Sequence, residues 1–560
     1  MTGRLADRLR RVDPSVAAGL AVGIGALAIY RATLLPGVGA WDTAEAQTIL
    51  PLMGTMHPTG FPAYVVLGWL ASVLLQWAGS PAFVINLLSA LLAAFATGTA
   101  ILVMRRLDVR LPVAVAVAGS MALTPIMWGI ATAADAHALH VALVVAVTLG
   151  LLRWGGLVAE RRDRPDDRAL RARGDRAIVL TAAVFGIAVA NHGLSLLFAP
   201  AIGLYVLAVE PRVLLRPKLI LAALGACLGM AALLYLELPL RAGPFRAPLV
   251  YAHPETWNGF WEVVMAKQFQ GDVRGLFADA GGKVEALIAL ADRQLGPLAL
   301  LIPAAFLVTA VRHPRYALLS GAAVVVTCVF AASYANANID RYYLGPAFFA
   351  WTWMAILVSA VADRLAPPED PAPADDGADD VPADDDSVPE ARAETDAPAG
   401  AVTTTPAPPV LRRTVSASFA VAAALGVVLL VPTAIAFEAR WKDADRSQET
   451  WVSGWIDDLY GALEPDAVLI SWWSYSTPAW YGQLIEGRRP DVFIADDRTR
   501  LDLELGDVTD VIERYIDSRP VYVIRVQDSE ITLLAQQYAI EPLARPGNVY
   551  HVTGRLENQP

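Results

Sequence analysis

The sequence predicts a multi-spanning α-helical membrane protein of about eleven transmembrane helices with a small C-terminal α/β extracytoplasmic domain. Three observations carry this. The 560 residues are 55% hydrophobic, with a mean hydropathy of +0.44, which a soluble domain of this length does not reach. Basic segments alternate with apolar runs so that one sidedness satisfies several loops at once. Beyond residue 436 the long apolar runs stop and strand-like stretches alternate with helical patterns.

The N-terminus, "MTGRLADRLRRVDPS", is basic and has no small-residue cleavage site, so it reads as a retained cytoplasmic flank of the first helix. Spans follow at 14–35, 82–104, 112–130, 135–153, 177–190, 194–209, 219–238, 296–311, 317–334, 344–363 and 415–436. The segment 61–78 is the ambiguous one, because counting it as a span reverses every later loop. Arginine placement decides. With 61–78 lying along the outer surface, the inside receives Arg105, Arg106 and Arg110, the eight arginines of 153–176, Arg212, Arg216 and Lys218, and the His313-Pro314-Arg315 turn. Trp69 and Trp77 suit an interfacial helix.

Between Glu369 and Asp396 there are twelve acids and one base, so this stretch accounts for the formal charge of −11. The rest is near neutral, and no basic surface points to nucleic acid. Residues 365–411, rich in Pro, Ala and Asp, lack the apolar side chains for a core and read as a disordered cytoplasmic linker. The organisation expected is a transmembrane module over 1–364 with its first outer loop at 36–81, then the linker. A last transmembrane helix at 412–436 and an extracytoplasmic α/β domain at 437–560 complete it. In the tail, Ala467–Ser471, Asp491–Ala495, Val521–Arg525 and Asn548–Val552 read as strands, and 475–486 and 529–539 as helices. Cys227 and Cys328 both fall in apolar segments, which leaves no disulfide framework outside.

With this sidedness the polar residues gather on one face. Asp42, Glu45 and His57 fall in the first outer loop, and Asp135, His137 and His140 open the fourth span at its outer end. Asn191 and His192 form an outer turn, Glu237 and Arg241 close the seventh span, and Asp340, Arg341 and Tyr342 join spans nine and ten. Each has a plain alternative: a solvated helix turn for Asp42 and Glu45, a helix end for His57, packing for His192, a boundary for Arg241, an ion pair for Arg341. Taken together they suit carboxylates beside an acceptor hydroxyl and guanidinium groups for a phosphate. Acids and histidines together leave room for a divalent metal, but no ligand-spaced motif is present and no metal residue is assigned.

Asp42-Thr-Ala-Glu45 followed by His57-Pro-Thr-Gly-Phe-Pro62 resembles the Asp-Ser-Gly-Glu and His-Pro-Pro-Gly-Tyr-Pro signature of the transmembrane protein 260-like family. "ANHGLS" (190–195), "YLELPLRAG" (235–243), "ETWNGFWEVVMAKQF" (255–269), "DRYYLGPAF" (340–348) and the tail segment 463–496 follow in the same order. Thr43-Ala44, Ala46 and Thr59-Gly60-Phe61 depart from the pattern but keep both acids and the histidine. The resemblance implies a glycosyltransferase C-type catalytic module, protein O-mannosyltransferase-like. Its donor would be a polyprenyl-phosphate sugar and its acceptor a protein or glycan hydroxyl, handled at the outer face of the plasma membrane.

On that reading Asp42 is the general base of an inverting transfer, with Glu45 sharing the role or orienting the acceptor. His57, Asp135, Asn191, His192, Arg241, Asp340, Arg341 and Tyr342 bind donor or substrate. Two rivals stand beside it. A polytopic lipid transporter or flippase needs mid-membrane polar groups and repeated halves, which the sequence lacks. A non-enzymatic envelope scaffold would leave the cell's glycoconjugates unchanged by Asp42→Asn.

Overall fold

A computed structural model describes residues 13–275, 278–335, 338–367, 416–525 and 527–556. Most of the acidic linker and the N-terminal arginines lie outside these residues. Among the described residues nine helices are long and apolar enough to cross a membrane, from Pro14–Ala32 to Ala417–Ala444. The pair Leu111–Ala122 and Pro125–Ala131, bent by 65°, makes ten when it is counted as one broken span. Pro125 starts the second half, and the residue before a proline avoids the helical region, which breaks the span there.

By length and apolar composition the described residues give nine or ten spans where the sequence predicts about eleven. The segment read as a span at 194–209 is the shorter apolar helix Gly193–Val209, which begins as a 3₁₀ turn before its α-helix Ala199–Val209. Pro200 near the start of that α-helix lacks the N–H that would extend it backwards.

The segment 61–78 does not cross. Its helix, Pro62–Leu74, has 13 residues, about 20 Å of rise, too short for a hydrocarbon core of about 30 Å. The Arg105 guanidinium also donates to Ser15 at 3.4 Å, so the start of Pro14–Ala32 and the end of Pro81–Arg105 share one end of the bundle. Everything between them turns at the other end. Gly19 and Gly98 allow this close antiparallel pairing, since a Cβ on Gly98 would lie 2.5 Å from the Gly19 carbonyl oxygen. The basic turns share the Ser15 end, where Asp363 accepts from Arg110 and from Arg312 at 2.8 Å each.

The C-terminal domain carries a five-stranded sheet ordered β2-β1-β3-β5-β4. Its strands are β1 (Val468–Ile470), β2 (Phe493–Ala495), β3 (Val521–Ile524), β4 (Tyr538–Pro542) and β5 (Val549–Arg555). β1 pairs in parallel with β2 and β3, while β5 runs antiparallel to β3 and β4. The four strands expected from the sequence form, and β4 is an addition where 529–539 had read as helical. The helix there is only Asp528–Leu534.

The domain docks on the first loop through a shared core. Val38, Ala44 and Ala82 of the membrane module pack with Ile456, Leu459 and Tyr481. Thr48 Oγ1 donates to the Thr477 carbonyl at 3.5 Å, and the Ala82 N–H donates to the Tyr481 hydroxyl at 3.3 Å. The carboxyl ends of the parallel strands β1 and β2 are continued by Trp473 and Arg498, which line a cavity shared with the bundle end.

Candidate active site

The first-loop helix Trp41–Leu52 is fixed before any substrate arrives. Gln47, fully buried, accepts from the Gly39 N–H at 2.8 Å and donates to Asn86 at 2.8 Å. Asn86 in turn accepts from the Ala134 N–H at 2.9 Å. This buried amide network ties the helix that carries Asp42 and Glu45 to the segment that carries Asp135, and such networks are rigid when every member is satisfied.

A cavity of about 790 Å³ opens between this end of the bundle and the sheet domain. Asp42, His57, Asp135, His192, Arg341 and Tyr342 all line it. Arg341 is the central clasp. Its Nη2 donates to Asp42 Oδ2 at 2.8 Å and its Nη1 to Asp135 Oδ2 at 3.1 Å. Asp135 caps the span Ala136–Asp163, accepting from the His137 N–H at 2.8 Å and pairing with His137 Nδ1 at 2.8 Å. One carboxylate thus ends a helix, orients a histidine and shares an arginine.

Glu45 is buried behind His57. It accepts from His57 Nδ1 in a short bond, from the His57 N–H at 2.9 Å and from Trp473 Nε1 at 3.3 Å. Burial pulls the His57 imidazole down, but the Glu45 carboxylate, with Asp42 beyond it, outweighs this and raises it to about 9. At neutral pH His57 is therefore a cation facing the cavity. Its ring meets Phe61 at 5.2 Å and Trp473 at 5.6 Å, both edge-on. The rings of His137, His192 and Tyr342 lie 5.0 to 5.5 Å apart and form the adjoining wall.

Three residues expected at the site lie elsewhere. Arg241 donates from Nε to the Met53 carbonyl at 2.9 Å and from Nη2 to that of Leu52 at 2.8 Å, closing the C-terminal end of the first-loop helix. Asp340 pairs with Arg293 at 3.0 Å on the surface. Asn191 is fully buried and donates to the Ala136 carbonyl at 3.2 Å, without reaching the cavity lining. Among the described residues no group of three His, Cys, Asp or Glu side chains is arranged to hold a metal ion, and Arg341 engages both Asp42 and Asp135.

The sheet domain supplies lining residues that the sequence reading did not select: Trp473, Asp497 and Arg498, with Tyr251 from the loop beneath them. They had a signal. Each of the first three comes two or three residues after a strand of the parallel pair, and ligands of parallel sheets bind outside the carboxyl ends of the strands.

The first-loop acids, the histidine of the His-Pro turn and the Asn191-His192 turn lie in their family order along one stretch. Residues 42–214 match the family of the Protein O-mannosyl-transferase TMEM260 N-terminal domain. The matched stretch begins at Asp42 itself and holds Glu45, His57, Asp135 and His192, while Arg341 and Arg498 come from beyond it. Among solved structures the chain is similar to ArnT from Cupriavidus metallidurans bound to undecaprenyl phosphate, at 14% identity over 96% of this chain and 97% of that one, TM-score 0.54. The apo state of ArnT matches at 13% identity over 96% and 97%, TM-score 0.54. An oligosaccharyltransferase from Archaeoglobus fulgidus, in complex with Zn and sulfate, matches at 14% identity over 95% of this chain and 73% of that one, TM-score 0.50. The chain shares the fold of ArnT, a multi-pass helical module with a small C-terminal sheet domain.

Proposed function

We propose that the protein is a membrane glycosyltransferase that moves a sugar, a hexose such as mannose, from a polyprenyl phosphate to an acceptor hydroxyl on the extracytoplasmic face, with inversion. The observation that carries this is the pairing of Asp42 with Arg341 on the wall of a cavity of about 790 Å³ at one end of the bundle. The match to a protein O-mannosyl-transferase domain and the undecaprenyl phosphate of ArnT support the same class of donor. On this reading residues 1–364 are the catalytic module, 412–436 the last crossing and 437–560 the outer domain.

Asp42 is the general base. Arg341 holds its Oδ2, and its side chain is 35% exposed, against full burial for Glu45, so Asp42 is the acid that an acceptor reaches. As the acceptor oxygen attacks C1, its proton passes to Asp42. The bond from C1 to the phosphate oxygen breaks, and the electron pair leaves with the lipid phosphate. The leaving phosphate needs charge stabilisation more than a proton, and His57 faces the cavity as a cation. Glu45 acts as a positioning residue through His57 and Trp473. Asp135 and the His192–Tyr342 wall bind the sugar.

Purified protein with radiolabelled polyprenyl-phosphate sugars tests this directly. The wild type transfers label to an outer-protein or glycan acceptor, and Asp42→Asn does not. Equal transfer by the Asp42 variant removes the proposed base, and absence of transfer from any such donor by the wild type removes the donor class.

A further inference from the structure

The charged groups on the bundle side of the cavity are paired with one another, and the sheet domain adds Asp497, which accepts from the Trp473 N–H at 2.8 Å, and Arg498. Arg341 is shared by Asp42 and Asp135, and His57 is paired with Glu45. Arg498 is 6% exposed and lines the same cavity. Its Nε donates to the Val250 carbonyl at 3.1 Å, and its guanidinium lies over the Tyr251 ring at 4.8 Å and the Trp480 ring at 5.4 Å. Among the described residues neither Nη1 nor Nη2 meets a hydrogen-bond partner. Burial lowers the Arg498 pKa even with Asp496 and Glu45 in its neighbourhood. A buried guanidinium with two idle nitrogens costs folding energy unless something completes it.

We infer that Arg498 binds the phosphate of a polyprenyl-phosphate ligand, so that the C-terminal sheet domain supplies part of the lipid-phosphate site. The inference rests on the donor class proposed above. The chemistry is specific to an oxyanion. Nε is tethered to a carbonyl and two aromatic rings fix the plane, which leaves the Nη1 and Nη2 pair as a fork for two phosphate oxygens. Leu194, Leu196 and Phe330 on the lining give an apolar route for the chain behind that headgroup. The attraction also grows along the reaction. When the bond to C1 breaks, a singly charged phosphodiester becomes a monoester with nearly two charges.

Binding can be measured without any transfer. The full-length protein in nanodiscs is titrated with geranylgeranyl phosphate, with geranylgeraniol and with inorganic phosphate, following tryptophan fluorescence, since Trp480 lies beside Arg498 and Trp473 lines the cavity. Arg498→Met should weaken geranylgeranyl phosphate by about tenfold to a hundredfold, leave geranylgeraniol unchanged and keep the melting temperature of the ligand-free protein. Arg498→Lys keeps the charge but not the fork and should weaken binding by about tenfold.

Geranylgeranyl phosphate binding unchanged in Arg498→Met overturns the inference and leaves Arg498 to an anionic acceptor. Inorganic phosphate binding the wild type as tightly as the prenyl phosphate also overturns it, because the site would then read a free anion. Should the Met variant not fold, Arg498→Lys decides, with wild-type affinity counting against. An Arg498-dependent binding curve in a protein that transfers no sugar would sustain this inference while sinking the transferase reading.

Discussion

Arg341 Nη2 donates to Asp42 Oδ2 at 2.8 Å and so joins two residues 299 positions apart in the chain. The same guanidinium reaches Asp135 at 3.1 Å. If this clasp positions the base, the two partners act as a unit. Asp42→Asn should lower turnover by about 10²- to 10⁴-fold, the range of general-base catalysis. Arg341→Ala should lower it through the same step, and the double variant should be no slower than the worse single one. Single-turnover transfer measures this. Multiplicative losses would mean that Arg341 works independently of Asp42.

The pair Glu45–His57 makes stability depend on pH. The His57 pKa in the folded protein is raised to about 9, above its ordinary value of about 6.5. The folded state therefore holds the extra proton more tightly, and the pair contributes fully below about pH 6.5. That contribution is lost as pH rises through about 9. Thermal unfolding of the wild type should weaken between pH 7 and pH 10, and Glu45→Gln should flatten that dependence. An unchanged slope in the variant would place the titration elsewhere.

Arg241 and Arg341 show what a sequence can and cannot tell. Both drew notice for one reason, a guanidinium group among the gathered polar residues that suits a phosphate. One turns out to clasp the site acids, and the other closes a helix through the carbonyls of Leu52 and Met53. Sidedness finds a buried charge but not its partner, because a carbonyl and a carboxylate leave different marks only in three dimensions. The contiguous first-loop motif was legible, since Asp42, Glu45 and His57 reach the site through local turns. Arg498 was legible only through the strand before it, because one arginine in an ordinary α/β tail looks solvated until the domain folds back onto the first loop. β4 was obscured for a related reason. Its Tyr538 and Ala539 continue the apolar pattern of the short helix before it, and only pairing with β5 makes them a strand.

Arg241→Met should therefore behave as a stability variant. It leaves the Leu52 and Met53 carbonyls without their donor, at a cost of about 1–3 kcal/mol. The melting temperature should fall, while KM for the lipid donor should stay near the wild-type value in the folded fraction. A large rise in KM at unchanged melting temperature would instead return Arg241 to the donor site.

The crossing of the first two long spans offers a test of the topology that is independent of the chemistry. A Cβ at Gly98 would sit 2.5 Å from the Gly19 carbonyl oxygen, a backbone atom that no side-chain rotation can move away. Gly98→Ala should thus force the helices apart and cost about 1–3 kcal/mol, as overpacking does. Gly225, in Pro217–Tyr235, has nothing within 4 Å of its Cβ position and serves as the control, where the same change should be neutral or stabilising. Melting temperatures of the two variants read the difference. A neutral Gly98→Ala would mean that Pro14–Ala32 does not lie against Pro81–Arg105.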